Sequence, residues 1–519
     1  MATAGCTKVG PDYQTPSAPQ DDGWLEAGDP KVSTEIPLEA DWWKVFDDPI
    51  LDKLIRLAYA QNLTLETAGL RVLEARARLG IAIGDQYPQT QEVGADLNYN
   101  RVSRNAANEV GANQHFATAD VGFGASWEID FWGRFQRGIE SADAQLGASV
   151  ATYDDVLVSL TADVASTYVL MREAEELAGV AENNIRIQQS SLDLTRTRFR
   201  DGVTTELDVL QAVSLLSSTQ ADLPQFNIDR RRAKNALAVL LGTTPGKLEA
   251  LVAEPGEIPV APSAVAIGIP AELLRRRPDI RQAELLAAAQ SARIGIAVAD
   301  LYPRFSLNGF IEFETSADGG LQSNNADLGD LFKTDSLAAF IGPSVRLPIF
   351  NYGRLTNNVR VADARFQQAV TQYRNTVLEA YREVEDSVFA FTNYQTQASF
   401  LNESVEAQRK SVKVSLEQYR EGVADYQRVL DAQTSLFDLE GQWVQSRRAI
   451  SQNLIATYRA LGGGWQAGEP RQFVPEKTIE VMRTRTDWGD LLPPKDIERA
   501  PQSGAEAAEG DFLFERPDW

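Results

Sequence analysis

The chain carries one histidine, His115, and one cysteine, Cys6. Those two counts remove most side-chain chemistry. A His/Cys zinc site needs several such ligands, and a Ser-His or Cys-His nucleophile needs its base beside it. No motif brings a nucleophile, a general base and a metal ligand together. His115 falls in a predicted loop between strands, and nothing is expected of it. Cys6 lies in "MATAGCTKVGPDYQTP", with small residues before it and a polar, Pro-rich stretch after it. That context suits acylation of the thiol, as at the end of a bacterial lipoprotein signal. No apolar run precedes it to complete such a signal, so a free surface thiol stays open at this point. A disulfide within one chain is impossible.

The bulk numbers exclude further classes. A length of 519 residues allows several domains or one very elongated one. A net charge of -23 would repel nucleic-acid phosphates. No run of apolar residues is long enough for a transmembrane helix.

The elements that would position any site are written twice. "ARLGIAIGDQYPQTQEVGADLNY" (Ala77 to Tyr99) is echoed by "ARIGIAVADLYPRFSLNGFIEF" (Ala292 to Phe313), at an offset of 215. "WGRFQRGIESADAQLGASVATY" (Trp132 to Tyr153) matches "YGRLTNNVRVADARFQQAVTQY" (Tyr352 to Tyr373), and "RFRDGVTTELDVLQA" (Arg198 to Ala212) matches "QYREGVADYQRVLDA" (Gln418 to Ala432), both at 220. An internal duplication is the plain reading. Each copy begins with a helical segment that stops at Tyr87-Pro88 or Tyr302-Pro303, since proline cannot continue a helix.

Two alternating strands follow in each copy. Val93, Ala95, Leu97 and Tyr99 share one face, with Glu92, Asp96 and Asn98 on the other. The pattern recurs over residues 116–131, over Phe305, Leu307, Ile311 and Phe313, and over Ala339, Ile341, Val345, Leu347 and Ile349. After each strand pair comes a long run, free of proline from Gly133 to Leu223 and from Gly353 to Leu461. Sixty to seventy helical residues would span roughly 100 Å, the length of a coiled-coil-like rod. The runs break at Gly202-Val203 and Gly422-Val423, where the chain can turn back as helical hairpins.

Two-faced strands suit either a soluble sandwich or a membrane barrel with lipid outside and water inside. The length of the strands and the aromatics near their ends favour the barrel. Four strands cannot enclose a usable lumen, which needs about eight or more, and an open edge is not tolerated in lipid. If these strands are in a membrane, several copies must therefore share one barrel.

The sequence resembles the TolC-type outer-membrane efflux proteins, in their lipoprotein branch serving RND tripartite pumps. The resemblance rests on "GCTKVGPDYQTP", "WWKVFDDPILDKLI", "IPAELLRRRPDIRQAE", "LPIFNYGRL", "YREGVADYQRVLDAQTSLF" and "YRALGGGW", spread in order from about residue 6 to 465. It implies a mainly α chain with a membrane β-barrel. In a homotrimer, each chain would give four strands to a shared barrel of about twelve. That barrel would continue into a long periplasmic α-helical coiled-coil barrel with a mixed equatorial domain.

The expected organisation is a lipidated N-terminus and equatorial segment at 1–45 and a first repeat at 46–242 with its hairpin near 88–131. A connector at 243–268 then leads to a second repeat at 269–464 with its hairpin near 303–350, and an equatorial segment with an acidic tail fills 465–519. The implied function is a passive outer-membrane exit duct for drugs and toxic small solutes, joined to a periplasmic adaptor and an inner-membrane RND transporter. It is not an enzyme and needs no cofactor. A type I secretion duct for proteins is the alternative, and a soluble coiled-coil scaffold a more distant one.

The resemblance also assigns residues. Cys6 becomes the lipid anchor, and triacylation would be enough to hold the chain in the membrane. Asp431, in "RVLDAQTSLF", falls on the gating aspartate, whose copies around an axis would form a cation-attracting constriction. The arginine that often follows three residues later is replaced by Thr434. Arg428 could substitute, by pairing with its repeat partner Asp208. The turns at Gly202, Val203, Gly422 and Val423 are where an adaptor would dock. "RRRPDIR" reads as structural, at a helix start.

Overall fold

A computed structural model describes residues 8–19, 21, 23–33, 35, 40–103, 105, 114–252, 255–268, 270, 276–317, 327–468 and 472–492. Cys6 and the acidic tail lie outside the described residues. The fold is mainly helical and repeats one order of elements. The first copy is α1 (Pro49–Gln61), α2 (Leu63–Gly84), β2 (Thr90–Arg101), β3 (His115–Ile129), α3 (Arg134–Arg200) and α4 (Glu206–Leu240), preceded by the two-residue β1 (Val32–Ser33). After the short α5 (Pro245–Glu249) and β4 (Val265–Ala266) come α6 (Pro278–Ala299), β5 (Arg304–Ala317), β6 (Leu337–Arg346), α7 (Arg354–Glu421) and α8 (Tyr426–Ala460). A last helix, α9, covers Glu476–Arg485.

The long helices form because nothing stops them. α3 has 67 residues and α7 has 68, so each is roughly 100 Å long. α4 runs through Pro224, whose missing N–H costs one ladder bond without ending the helix.

The chain divides into two compact units, and each draws matching segments from both copies. One holds the described residues up to Pro16, with Leu73–Ala148 and Ala283–Gln372. Its centre is a four-stranded antiparallel sheet in the order β2-β3-β5-β6. The apolar faces align in register: Val93 lies opposite Phe123, Val121 opposite Phe313, and Ile311 opposite Ala339. The sheet is open, with β2 and β6 as its edges.

Two expectations are corrected here. His115 is not in a loop: it opens β3 opposite Arg101, and Nδ1 lies 3.3 Å from the Tyr99 hydroxyl. Backbone bonding runs one step past that row, with the Val102 amide donating to the Gln114 carbonyl at 2.9 Å. The last strand also ends at Arg346, short of Leu347 and Ile349, because its partner β5 begins opposite, at Arg304.

The second unit holds Ser17–Val72, Ser149–Gln282 and the described residues from Tyr373 onward. α1 buries Leu51, Leu54, Ile55 and Ala58, an i, i+3, i+4, i+7 stripe. Asp48 caps it, accepting from the Ile50 and Leu51 amides at 2.8 and 3.0 Å, with Pro49 at the first helical position. Trp42 stacks on Tyr458 at 5.2 Å, and the Trp43 indole donates to Asp52 at 2.9 Å. "RRRPDIR" is structural: buried Arg277 donates to Glu383 at 2.7 Å, to the Ala460 carbonyl at 2.8 Å and to Asp279 at 2.7 Å.

Candidate functional site

Both long helices end in the same turn. Gly202 has φ +74° and Gly422 has φ +78°, the left-handed region that glycine enters without strain. The Gly202 amide donates to Phe199 and the Val203 amide to the Arg198 carbonyl. The Gly422 amide donates to Tyr419 and the Val423 amide to the Gln418 carbonyl. Each is a Schellman cap. The hydrophobic residue that usually folds back on such a cap does not do so here: Val203 is 60% exposed and Val423 is 75% exposed.

Beyond the backbone the two tips differ. α4 starts with a capping box, in which the Thr205 hydroxyl accepts from the Asp208 amide and the Asp208 carboxylate accepts from the Thr205 amide, both at 3.4 Å. The Thr204 hydroxyl also donates to Asp208. α8 starts at Asp425 with no side-chain cap and is instead held by packing. Tyr419 and Tyr426 meet edge to face at 5.4 Å, in a core with Leu192, Ala212, Leu216 and Val429. Burial pushes the Tyr426 phenol up from its usual range.

Arg198 ties the tips together. Its guanidinium lies 4.8 Å over the Tyr419 ring and donates to the Arg420 carbonyl at 2.8 Å. That carbonyl is at the negative end of α7, a favourable place for a cation.

Asp431 stands on the exposed side of α8, where its carboxylate accepts from Gln427 at 2.7 Å. Gln427 in turn accepts from Gln211 of α4 at 3.2 Å. Gln211 is the repeat equivalent of Asp431 at the 220 offset. The structure thus places the second copy's acid and the first copy's amide on one polar chain across the hairpins.

The expected Asp208–Arg428 pair does not form within the chain. Asp208 is occupied in its own capping box, and Arg428 has Asp425 at 3.9 Å, one turn back on an exposed surface. Local partners win because a one-turn contact orders fewer bonds than a reach between helices. Gln211, Gln427, Arg198 and the two tyrosines were not singled out from the sequence. The repeat alignment would have pointed to Gln211.

Deeper in the same helices is a buried polar seam. Glu440 accepts from Asn184 at 2.7 Å and from Arg409 at 2.8 Å. Gln433 donates to Ser191 at 2.6 Å. Such a seam fixes the helix register, because a slip would strand each group without its partner.

A duplicated, mainly helical chain with one open four-stranded sheet and two matched hairpin tips is the plan of an outer-membrane channel subunit. The outer membrane efflux protein profile matches residues 54–243 and again 269–463. The chain is 33% identical over 433 residues to the pyoverdine export outer membrane protein OpmQ of Pseudomonas putida, covering 83% of this chain and 89% of that one. It is 31% identical over 483 residues to the toluene efflux pump outer membrane protein TtgC of the same species, covering 91% and 96%. The solved outer-membrane channel OprN has a TM-score of 0.80 at 33% identity, over 88% of this chain and 99% of that one. The chain belongs to the outer membrane efflux protein family, and its location is the outer membrane.

Proposed function

We propose that three copies of the chain form the passive exit duct of a tripartite efflux pump, fed by a periplasmic adaptor and an inner-membrane RND transporter. One observation carries this reading: the sheet has two open edges, which lipid does not tolerate. Copies of the chain joined edge to edge remove them. The duct performs no catalytic step and takes no cofactor, and a lipid on Cys6 anchors it. The relatives OpmQ and TtgC are named for pyoverdine and toluene, both small molecules, which favours small solutes over a protein cargo.

Asp431 is the gate in this reading. Its carboxylate is exposed and, among the described residues, is held through its own helix and the Gln427–Gln211 chain. Around a three-fold axis it would alternate with Gln211 and draw cations into the constriction. The exposed Val203 and Val423 offer the adaptor two equivalent apolar points, and the first tip adds exposed Phe199 and Leu207. Single-channel recording on Asp431→Asn tests the gate. Higher conductance with weaker cation preference is expected; an unchanged channel removes Asp431 from that role. Loss of resistance to toxic solutes in a deletion strain tests the duct itself.

A further inference from the structure

The duplication gives a residue-level template for the contact between copies. Inside the chain, β3 of the first copy pairs with β5 of the second. The equivalent pairing, β6 of the second copy with β2 of the first, is absent within the chain, where these strands form the two edges. The register can be carried across. Thr90 faces Ser126 and Arg304 faces Arg346, and Ser126 and Arg346 are repeat equivalents at 220. Thr90 therefore corresponds to Arg304 within the strands. This differs by one residue from the Tyr-Pro alignment before them, so copying the raw sequence offset would turn β2 inside out.

We propose that β6 of one copy pairs antiparallel with β2 of a second copy so that Val345 faces Ala95. This is the equivalent of Ala125 facing Gly309 inside the chain. Leu347 then faces Val93, Ile341 faces Tyr99, and on the opposite face Ser344 meets Asp96. The proposal rests on the three-chain reading above.

Two separate observations fit that register. Arg346 is an exposed cation set directly opposite another, Arg304, a destabilising pair. Arg304 is neutralised by Asp300 at 2.7 Å, whereas Arg346 has no carboxylate within 4.0 Å among the described residues. In the proposed register Arg346 faces Gly94, with the second copy's Glu92 and Asp96 on its two diagonals.

The corner beyond the strand is the other observation. Trp132 packs on Tyr302 at 4.5 Å, and its indole donates to the Pro303 carbonyl at 2.9 Å. Its repeat equivalent, Tyr352, is 98% exposed and held at φ +48°, a left-handed conformation unusual for an aromatic residue. The register lays Tyr352 over Tyr87-Pro88 of the second copy, the equivalents of Tyr302-Pro303.

Paired cysteines test it in the full chain, purified from membranes, oxidised and run without reductant. Ala95→Cys with Val345→Cys, or Asp96→Cys with Ser344→Cys, should give bands of two and three chains. These pairs sample both kinds of antiparallel site, one of which brings the Cβ atoms close. Val345→Cys with Val93→Cys or Leu97→Cys, each shifted by two residues, should not. Single variants control for Cys6, and co-expressed single variants replace any double variant that fails to accumulate. Linkage only in a shifted pair overturns the register. No linkage in material sedimenting as three chains overturns the β2–β6 seam. A single-chain mass overturns the three-chain reading itself.

Discussion

The turns at Gly202 and Gly422 have the same backbone but are held by different forces. The first is secured locally, by Thr204, Thr205 and Asp208 on one turn of helix. The second has no side-chain cap and depends on Tyr419 and Tyr426, which pack against helices of the other hairpin. At the matching positions the first copy has Phe199, 44% exposed, and Glu206, exposed. The duplicated turn thus fixes the geometry once, and the two copies divide the roles. One tip is closed by its own side chains; the other is closed by rings packed against the neighbouring hairpin. A moving gate would be built on the second kind, and Asp431 is on that hairpin.

The contrast is sharpest at residues 199 and 419. Tyr419→Ala empties a site only 2% exposed and removes the ring under Arg198, so it should cost about 3–5 kcal/mol of helical stability. Phe199→Ala removes a half-exposed ring and should cost about 1 kcal/mol or less. Denaturant titration followed by helical signal measures both. Equal losses would mean that the tips are held alike.

The capping residues give a smaller effect. Asp208→Ala breaks the capping box and should cost about 1 kcal/mol. Arg428→Ala loses only an exposed contact at 3.9 Å and should be close to neutral. If Arg428→Ala is the costlier change, the pair expected from the sequence forms between copies of the chain.

Much of this was legible in the sequence because it rests on local physics. Proline after Tyr87 and Tyr302, glycine at 202 and 422, and strict alternation in the strands each act through backbone sterics or a repeat of two. The site was less legible. Asp208 was assigned a distant partner, although Thr205 three residues before it is a capping signature. Tyr419 and Tyr426 lie amid polar residues, and only the packing of four helices shows that they are core. The one-residue shift between the Tyr-Pro stop and β2 was hidden too, because the sequence match there follows the helices and not the ladder.

The least of the expected effects concerns Asp155, whose repeat equivalent is Asn375. Asp155 is partly buried in the first copy's long helix. Burial, with help from the charge of Asp279, raises its carboxyl above the usual range, against the pull of Arg277 and Arg459. A carboxyl raised in the folded state favours folding while it is protonated. That contribution is whole below the unfolded value of about 3.9 and is lost as pH rises through the folded one. Asp155→Asn writes the second copy's residue into the first and keeps the neutral form at every pH. The variant should therefore be the more stable protein at neutral pH, with its advantage shrinking to nothing as pH falls below the ordinary aspartate range. Melting temperature against pH for both proteins decides it. A constant difference at all pH values would mean that the charge of Asp155 is matched by its neighbours, and that at this position the two copies are equivalent.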